Sequence, residues 1–214
     1  MDWTRAIDAY CERTDPGFWA EPINALTNLA FVFAAIVMWR RTPVALGGRI
    51  LSGILFLIGV GSFLFHTFAT PWAGMLDVAP ILAFVLVYLF LANKDFWGLP
   101  IWGAFVGTLA FIPYAALTTQ VFAVLPFFNV SSFYWPLPLL IGGYAILLRK
   151  RMPETAVGLA IGTGLLCVSL TARSVDESQC VAIPHGTHFL WHILNAIMLG
   201  WMIEVWRRHI GTGL

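Results

Sequence analysis

Long apolar stretches, each ended by polar or charged residues, dominate this sequence. A helix that spans the hydrocarbon core of a membrane needs ~20 mostly apolar residues. Hydrophobic residues make up 59% of the 214 positions and charged residues only 11%, against about 25% charged residues in a soluble domain. A single globular core cannot bury so much apolar surface. The chain is therefore predicted to be an all-α membrane protein.

Seven stretches predict a bundle of seven transmembrane helices. Two prolines in the fourth, Pro100 and Pro113, predict a kink. The division is an N-terminal segment (1–21), a transmembrane domain (22–208) and a tail (209–214). The stretches run from about Pro22 to Trp39, Ile50 to Phe68, Asp77 to Asn93, Phe96 to Leu117, Tyr134 to Leu148, Thr155 to Thr171 and His185 to Trp206.

The distribution of basic residues predicts the orientation of this bundle. Nine of the 12 Lys and Arg residues fall on one side, and only Arg5, Arg13 and Arg173 fall on the other. Because such residues concentrate in cytoplasmic loops, the N-terminus is predicted outside and the C-terminus in the cytoplasm. The N-terminal residues lack the basic start and apolar run of a signal peptide. A net charge of +1 does not indicate the basic surface that binds nucleic acid. The short loops between the predicted helices favour a bacterial inner membrane.

Four of the five histidines are predicted at the outer end of the bundle. His188 and His192 lie four apart and share a helix face, and His185 joins them if the helix has already begun there. Ionisable residues at membrane depth are costly and usually functional, which favours a metal site over a merely polar bundle mouth. Two ligand sets stay open: these three histidines together, or the pair with His66 from the second helix.

Two further polar residues are predicted beside these histidines. Ser62 lies one turn before His66, where it either faces the site or packs as serines in membrane helices do. Asp77 either caps the third helix or acts as a general base beside a metal. Three imidazoles with an open fourth position are the ligands of a catalytic zinc, which lowers the pKa of bound water to about 7.

The N-terminal segment is rich in oxygen ligands. Such ligands either surround a calcium ion or form a solvated acidic arm. The candidates are Asp8, Glu12, Asp15, Glu21 and Asn24.

Taken together, these residues resemble those of the alkaline ceramidase family. Its members are seven-helix, zinc-dependent membrane hydrolases related to the adiponectin receptors. The match extends over the whole length, including helix number and predicted topology. In chain order, the matching residues are Tyr10-Cys11-Glu12, Glu21-x-x-Asn24, Ser62-x-x-Phe65-His66, Asp77 and His188-x-x-Trp191-His192.

The resemblance implies a role for each residue of the outer site. It implies that zinc is bound by His66, His188 and His192, with Trp191 between the last two. Asp77 would orient or deprotonate the water, and Ser62 would contact that water or the forming oxyanion. His185 then lies at the mouth of the site rather than among the ligands.

The resemblance also implies a calcium ion, bound through Glu12, Glu21 and the carbonyl of Tyr10. It further implies a disulfide between Cys11 and Cys180, which are both predicted on the outer side.

Two departures affect the calcium site. Ala9 and Thr14 stand where eukaryotic members have Asp and Asn. Either Asp8 and Asp15, each one residue away, substitute for them through a slightly different loop, or the site binds calcium weakly or not at all.

The function implied is an amidohydrolase that cleaves the N-acyl amide of a ceramide-like lipid to a fatty acid and a sphingoid base, among membrane lipids. The residues themselves leave three alternatives open. These are a lipid amidase or esterase for another head group, a haem-binding membrane protein with His66 and His192 as axial ligands, and a seven-helix receptor without chemistry. The sequence does not indicate an oligomeric state.

Overall fold

The structure of the protein is a computed structural model that describes residues 2–211. Within those residues it contains helices and no strand. The α-helices are α1 (Pro22–Thr27), α2 (Leu29–Arg41), α3 (Leu46–Phe68), α4 (Pro71–Asp95), α5 (Ile101–Leu109), α6 (Phe111–Ala123), α7 (Pro136–Leu148), α8 (Pro153–Ser174) and α9 (His188–Gly211).

Between residues 2 and 211, six helical segments are long and apolar enough to cross a membrane, as expected of a multi-pass membrane protein. Two of them, α1–α2 and α5–α6, are interrupted by one residue each, and the second break lies close to Pro113, as the sequence predicts. The predicted span from Tyr134 to Leu148 contains only the 13 residues of α7. At 1.5 Å per residue, α7 rises roughly 20 Å, which is less than the hydrocarbon thickness of ~30 Å.

Apolar side chains cover the outside of the bundle. Phe33 is 70% exposed and Trp102 is 79% exposed, which suits a surface that faces lipid rather than water. The central helix is α9, which packs against α2, α3 and α8 and buries polar as well as apolar side chains along most of its length. Residues 209–211 of the predicted tail continue this helix, and residues 212–214 lie outside the described part.

The start of α4 differs from the prediction and changes the interpretation of Asp77. The helix begins at Pro71, with Thr70 in the extended conformation before it, because proline suits the first helical turn. Asp77 therefore lies in the second turn of α4 and is not an N-cap.

The start of α9 also differs, because the helix begins at His188 rather than near His185. Gly186 adopts a left-handed φ of +64°, which is costly for residues other than glycine. A Cβ at this position would also collide with the Asp176 carboxylate. His185 therefore lies in the preceding loop.

Gly61 determines how closely α3 and α4 approach at the outer end. A Cβ on Gly61 would collide with the backbone carbonyl of Leu76, the residue before Asp77. Pro80, which lacks an N–H, leaves that carbonyl without its usual helical donor. The two helices can therefore meet closely only because residue 61 has no side chain.

Gly61→Ala is expected to destabilise the protein by about 1–3 kcal/mol, because a backbone carbonyl cannot move away as a side chain can. Thermal unfolding in detergent measures the effect. Gly53→Ala on the same helix is the matched control, since a Cβ there meets nothing within 4 Å. Equal melting temperatures for the two variants would contradict the close contact.

Candidate metal centre

Three imidazoles lie together at the end of the bundle where α3 ends and α9 begins. One nitrogen from each of His66, His188 and His192 lies within 4.8 Å of the others, and all three residues are buried. The distances between ring centroids are 5.1 Å for His66–His188 and 4.7 Å for each of the other two pairs. Among residues 2–211, this cluster could hold a metal ion.

His66 is oriented by a buried carboxylate from the N-terminal segment. Its Nδ1 atom lies 2.6 Å from Glu21 Oε2, and the other carboxylate oxygen of Glu21 lies 2.5 Å from Nε of Arg13. When Nδ1–H donates a hydrogen bond to this carboxylate, Nε2 of His66 is left unprotonated and can bind a metal.

His192 is oriented by a threonine of α1. Its Nδ1 atom lies 2.9 Å from Thr27 Oγ1, while the Thr27 hydroxyl lies 2.8 Å from the carbonyl of Ile23 and 3.0 Å from that of Asn24. A hydroxyl that donates to a carbonyl keeps a lone pair to accept from Nδ1–H. Nε2 of His192 is then left to bind a metal, and it is buried without a hydrogen-bonding partner.

His188 is positioned through its backbone and through its ring. The buried Asp176 carboxylate accepts hydrogen bonds from the N–H groups of Thr187 (2.6 Å), His188 (2.8 Å) and Cys11 (3.1 Å). A carboxylate at a helix N-terminus accepts hydrogen bonds from N–H groups that have no helical partner, and its negative charge interacts favourably with the helix dipole. The His188 ring stacks on Tyr10 at 3.7 Å between centroids.

The donor set fits a transition metal. Nδ1 of His188 and Nε2 of His192 are buried without hydrogen-bonding partners, which is unusual for buried polar atoms. Three imidazoles and no thiolate suit zinc better than calcium or magnesium, which prefer oxygen ligands.

Asp77 and Ser62 lie beside the histidines without belonging to the cluster itself. The Asp77 carboxylate lies within hydrogen-bonding reach of the Ser62 hydroxyl and close enough to His66 for an electrostatic interaction. Its placement follows from the close approach of α4 at Gly61. A carboxylate and a hydroxyl thus lie near the three imidazoles.

Cys11 and Cys180 form a disulfide, as the resemblance implies. The bond joins the N-terminal segment to the loop that precedes α9. Asp176 belongs to the same loop and also holds the Cys11 backbone. The covalent link therefore lies next to the residues that position His188.

His185 and Trp191 take different places. His185 is exposed in the loop, with its ring 5.9 Å from that of Phe189, so the structure does not place it among the candidate ligands. Trp191 is buried, and its ring packs 5.2 Å from that of Tyr134.

The structure adds four residues whose roles the sequence does not indicate. Arg173 lies over the rings of Tyr134 and Trp191 and adds positive charge near Asp77. The others are Arg13, Thr27 and Asp176. Their types are ordinary for a loop or a helix end, and only contacts between distant segments reveal them.

Burial and hydrogen bonds act in opposite directions on the acid beside His66. Burial alone would raise the pKa of the Glu21 carboxyl, but the hydrogen bonds from His66, Arg13 and Asn24 hold that pKa below its ordinary value. Glu21 is therefore ionised at neutral pH, and both of its oxygens can accept hydrogen bonds. Burial also raises the pKa of the Tyr10 hydroxyl, so the ring stacked on His188 is neutral.

No model of a known protein family matches the chain, and no curated protein matches it. The residues and geometry of the site are therefore what indicates its function.

Thr27→Val is expected to weaken zinc binding about 10–100-fold, because loss of the hydroxyl leaves His192 without the partner that orients its ring. Competition with a zinc chelator measures the change. Thr27→Ser keeps the hydroxyl and is the control, with affinity close to that of the wild type. Wild-type affinity in Thr27→Val would show that Thr27 does not orient the ring.

Proposed function

We propose that the protein is a membrane-embedded, zinc-dependent amidohydrolase of the alkaline ceramidase type, cleaving the N-acyl amide of a ceramide-like lipid. The observation that carries this proposal is the buried cluster of His66, His188 and His192 with Asp77 and Ser62 beside it. A metal, a general base and a hydroxyl donor in one place are the components of metal-assisted hydrolysis.

Zinc held by three imidazoles would supply a Lewis acid and lower the pKa of water to about 7. The remaining steps belong to the residues of the chain. Asp77 takes one proton from water as the water oxygen adds to the amide carbonyl carbon. The Ser62 hydroxyl donates a hydrogen bond to the carbonyl oxygen as it becomes negative. Asp77 returns its proton to the nitrogen as the C–N bond breaks, which leaves a fatty acid and an amine.

An apolar cavity near the site supports a substrate with a long chain. Its lining is almost entirely apolar, as the walls of ligand pockets mostly are. Trp191, which lies between His188 and His192 in the sequence, forms part of its wall. Asn195, one turn further along α9, also lines the cavity. Other lining residues are Ile81, Phe84, Leu137, Leu166 and Met198.

The proposed topology is seven spans with the N-terminus outside and the C-terminus in the cytoplasm, and the proposed location is a bacterial inner membrane. The asymmetry of Lys and Arg supports the orientation. The disulfide of Cys11 and Cys180 lies at the same end of the bundle as the histidines. Because disulfides form in oxidising compartments, it supports an outer location for this end. The short α7 would serve as one of the seven spans, with the aromatic residues before it at the membrane interface.

His188→Ala and Asp77→Asn test the proposal in purified protein supplied with a ceramide. His188→Ala is expected to lose both zinc and turnover. Asp77→Asn is expected to keep zinc and lose turnover by about 10²–10⁴-fold, because the metal stays while the base is removed. Glu177→Gln, which changes an exposed acid of the loop before α9, is the control and should behave as wild type.

Two results would overturn the proposal. One is full zinc and turnover in His188→Ala. The other is a wild-type protein that binds zinc but hydrolyses no ceramide. A panel of lipids with amide and ester linkages and other head groups, assayed in parallel, would then identify a different substrate class.

A further inference from the structure

The guanidinium of Arg13 is buried in the N-terminal segment, where the resemblance implies a calcium ion. Arg13 is only 6% exposed, which is rare for an arginine unless its charge is paired. Its partner is Glu21, one of the residues expected to bind calcium, and the side chains of both are almost fully buried.

The atoms that accept hydrogen bonds from Arg13 are carboxylate and carbonyl oxygens, which are also the ligands that calcium prefers. Nε donates to Glu21 Oε1 at 2.5 Å, and Nη1 donates to the carbonyls of Asp15 at 3.2 Å and Gly17 at 3.4 Å. Nη2 donates to the carbonyl of His66 at 3.0 Å. One carboxylate and three backbone carbonyls thus face a single positive charge. The last of them lies near the C-terminus of α3, where a cation is favoured by the helix dipole.

The other residues expected to bind calcium have different partners. The Tyr10 carbonyl accepts the Arg13 backbone N–H at 3.1 Å. The Glu12 carboxylate accepts the N–H groups of Ile23 and Asn24, at 2.7 and 2.8 Å, at the start of α1.

The two acids near the departures from the family pattern do not complete a calcium site. Asp15 Oδ1 accepts the N–H of Gly17 at 2.6 Å within its own turn, and Asp8 is exposed. Among the described residues, none of these acids belongs to a cluster of three or more His, Cys, Asp or Glu side chains that could hold a metal ion. The residues present do not fit calcium.

We infer that Arg13 is the fixed cation of this segment, so that the protein needs no calcium there, and that Arg13 positions His66 through Glu21. Calcium would require the Glu21 carboxylate, which the guanidinium already occupies, and the Tyr10 carbonyl and Glu12 carboxylate, which accept backbone N–H groups. The planar guanidinium donates in several directions at once, and it therefore joins the segment to the end of α3. Glu21, held by Arg13, keeps its second oxygen on Nδ1 of His66.

This inference rests on the three-histidine metal centre and not on lipid hydrolysis. Its test therefore uses melting temperature and metal content as readouts, and a failure of the proposed substrate leaves both readouts unchanged.

Purified wild type, Arg13→Ala, Arg13→Lys and Arg5→Ala are compared in buffers with millimolar calcium or with a calcium chelator. The wild type is expected to bind no calcium and to melt at the same temperature in both. Arg13→Ala is expected to melt lower and to lose about 10–100-fold in zinc affinity, as when a partner of a metal-binding histidine is lost. Arg13→Lys should recover part of both losses, because lysine keeps the charge without the planar fork.

Arg5→Ala is the matched control, since Arg5 is an exposed arginine of the same segment, and it should equal wild type. Calcium bound to the wild type, with a higher melting temperature, would overturn the inference. So would wild-type zinc affinity and melting temperature in Arg13→Ala. Arg13→Lys and the calcium measurement on wild type still decide the question if Arg13→Ala does not fold.

Discussion

Three imidazole rings buried against one another are the feature on which the outer end of this protein depends. A buried ring nitrogen without a partner is costly, and a metal ion at the centre would supply that partner for His188 and His192. Glu21 and Thr27 contact the rings of His66 and His192, whereas Asp176 holds the His188 backbone and Tyr10 stacks on its ring. The bundle brings the rings together, and Glu21 and Thr27 determine which nitrogens of His66 and His192 face the common centre.

The N-terminal segment provides much of this support from outside the bundle. Its disulfide through Cys11 joins it to the loop before α9, and Arg13 joins it to the carbonyl of His66 at the end of α3. The segment is therefore held beside two of the three histidines. The Arg13 side chain is part of the protein and holds the segment at all times, whereas a bound ion would hold it only at sufficient ion concentration.

The sequence predicts the helical membrane class, the kink near Pro113 and the gathering of the histidines, because hydropathy, proline and helical spacing are local signals. It does not predict that α4 begins at Pro71, since the residues before Asp77 are apolar enough for either a loop or a helix. Nor does it predict Asp176 and Arg13 as partners of the site. Their roles arise from contacts between segments far apart in the chain, which no local pattern records.

The most direct test of the metal centre is X-ray absorption at the zinc edge on the purified protein. We expect the zinc ion to be bound by three imidazole nitrogens at about 2.0–2.1 Å and by one further oxygen, and this signal to be lost in His192→Ala. A protein that takes up no zinc, or a zinc ion bound by sulfur near about 2.3 Å, would contradict the three-histidine metal centre.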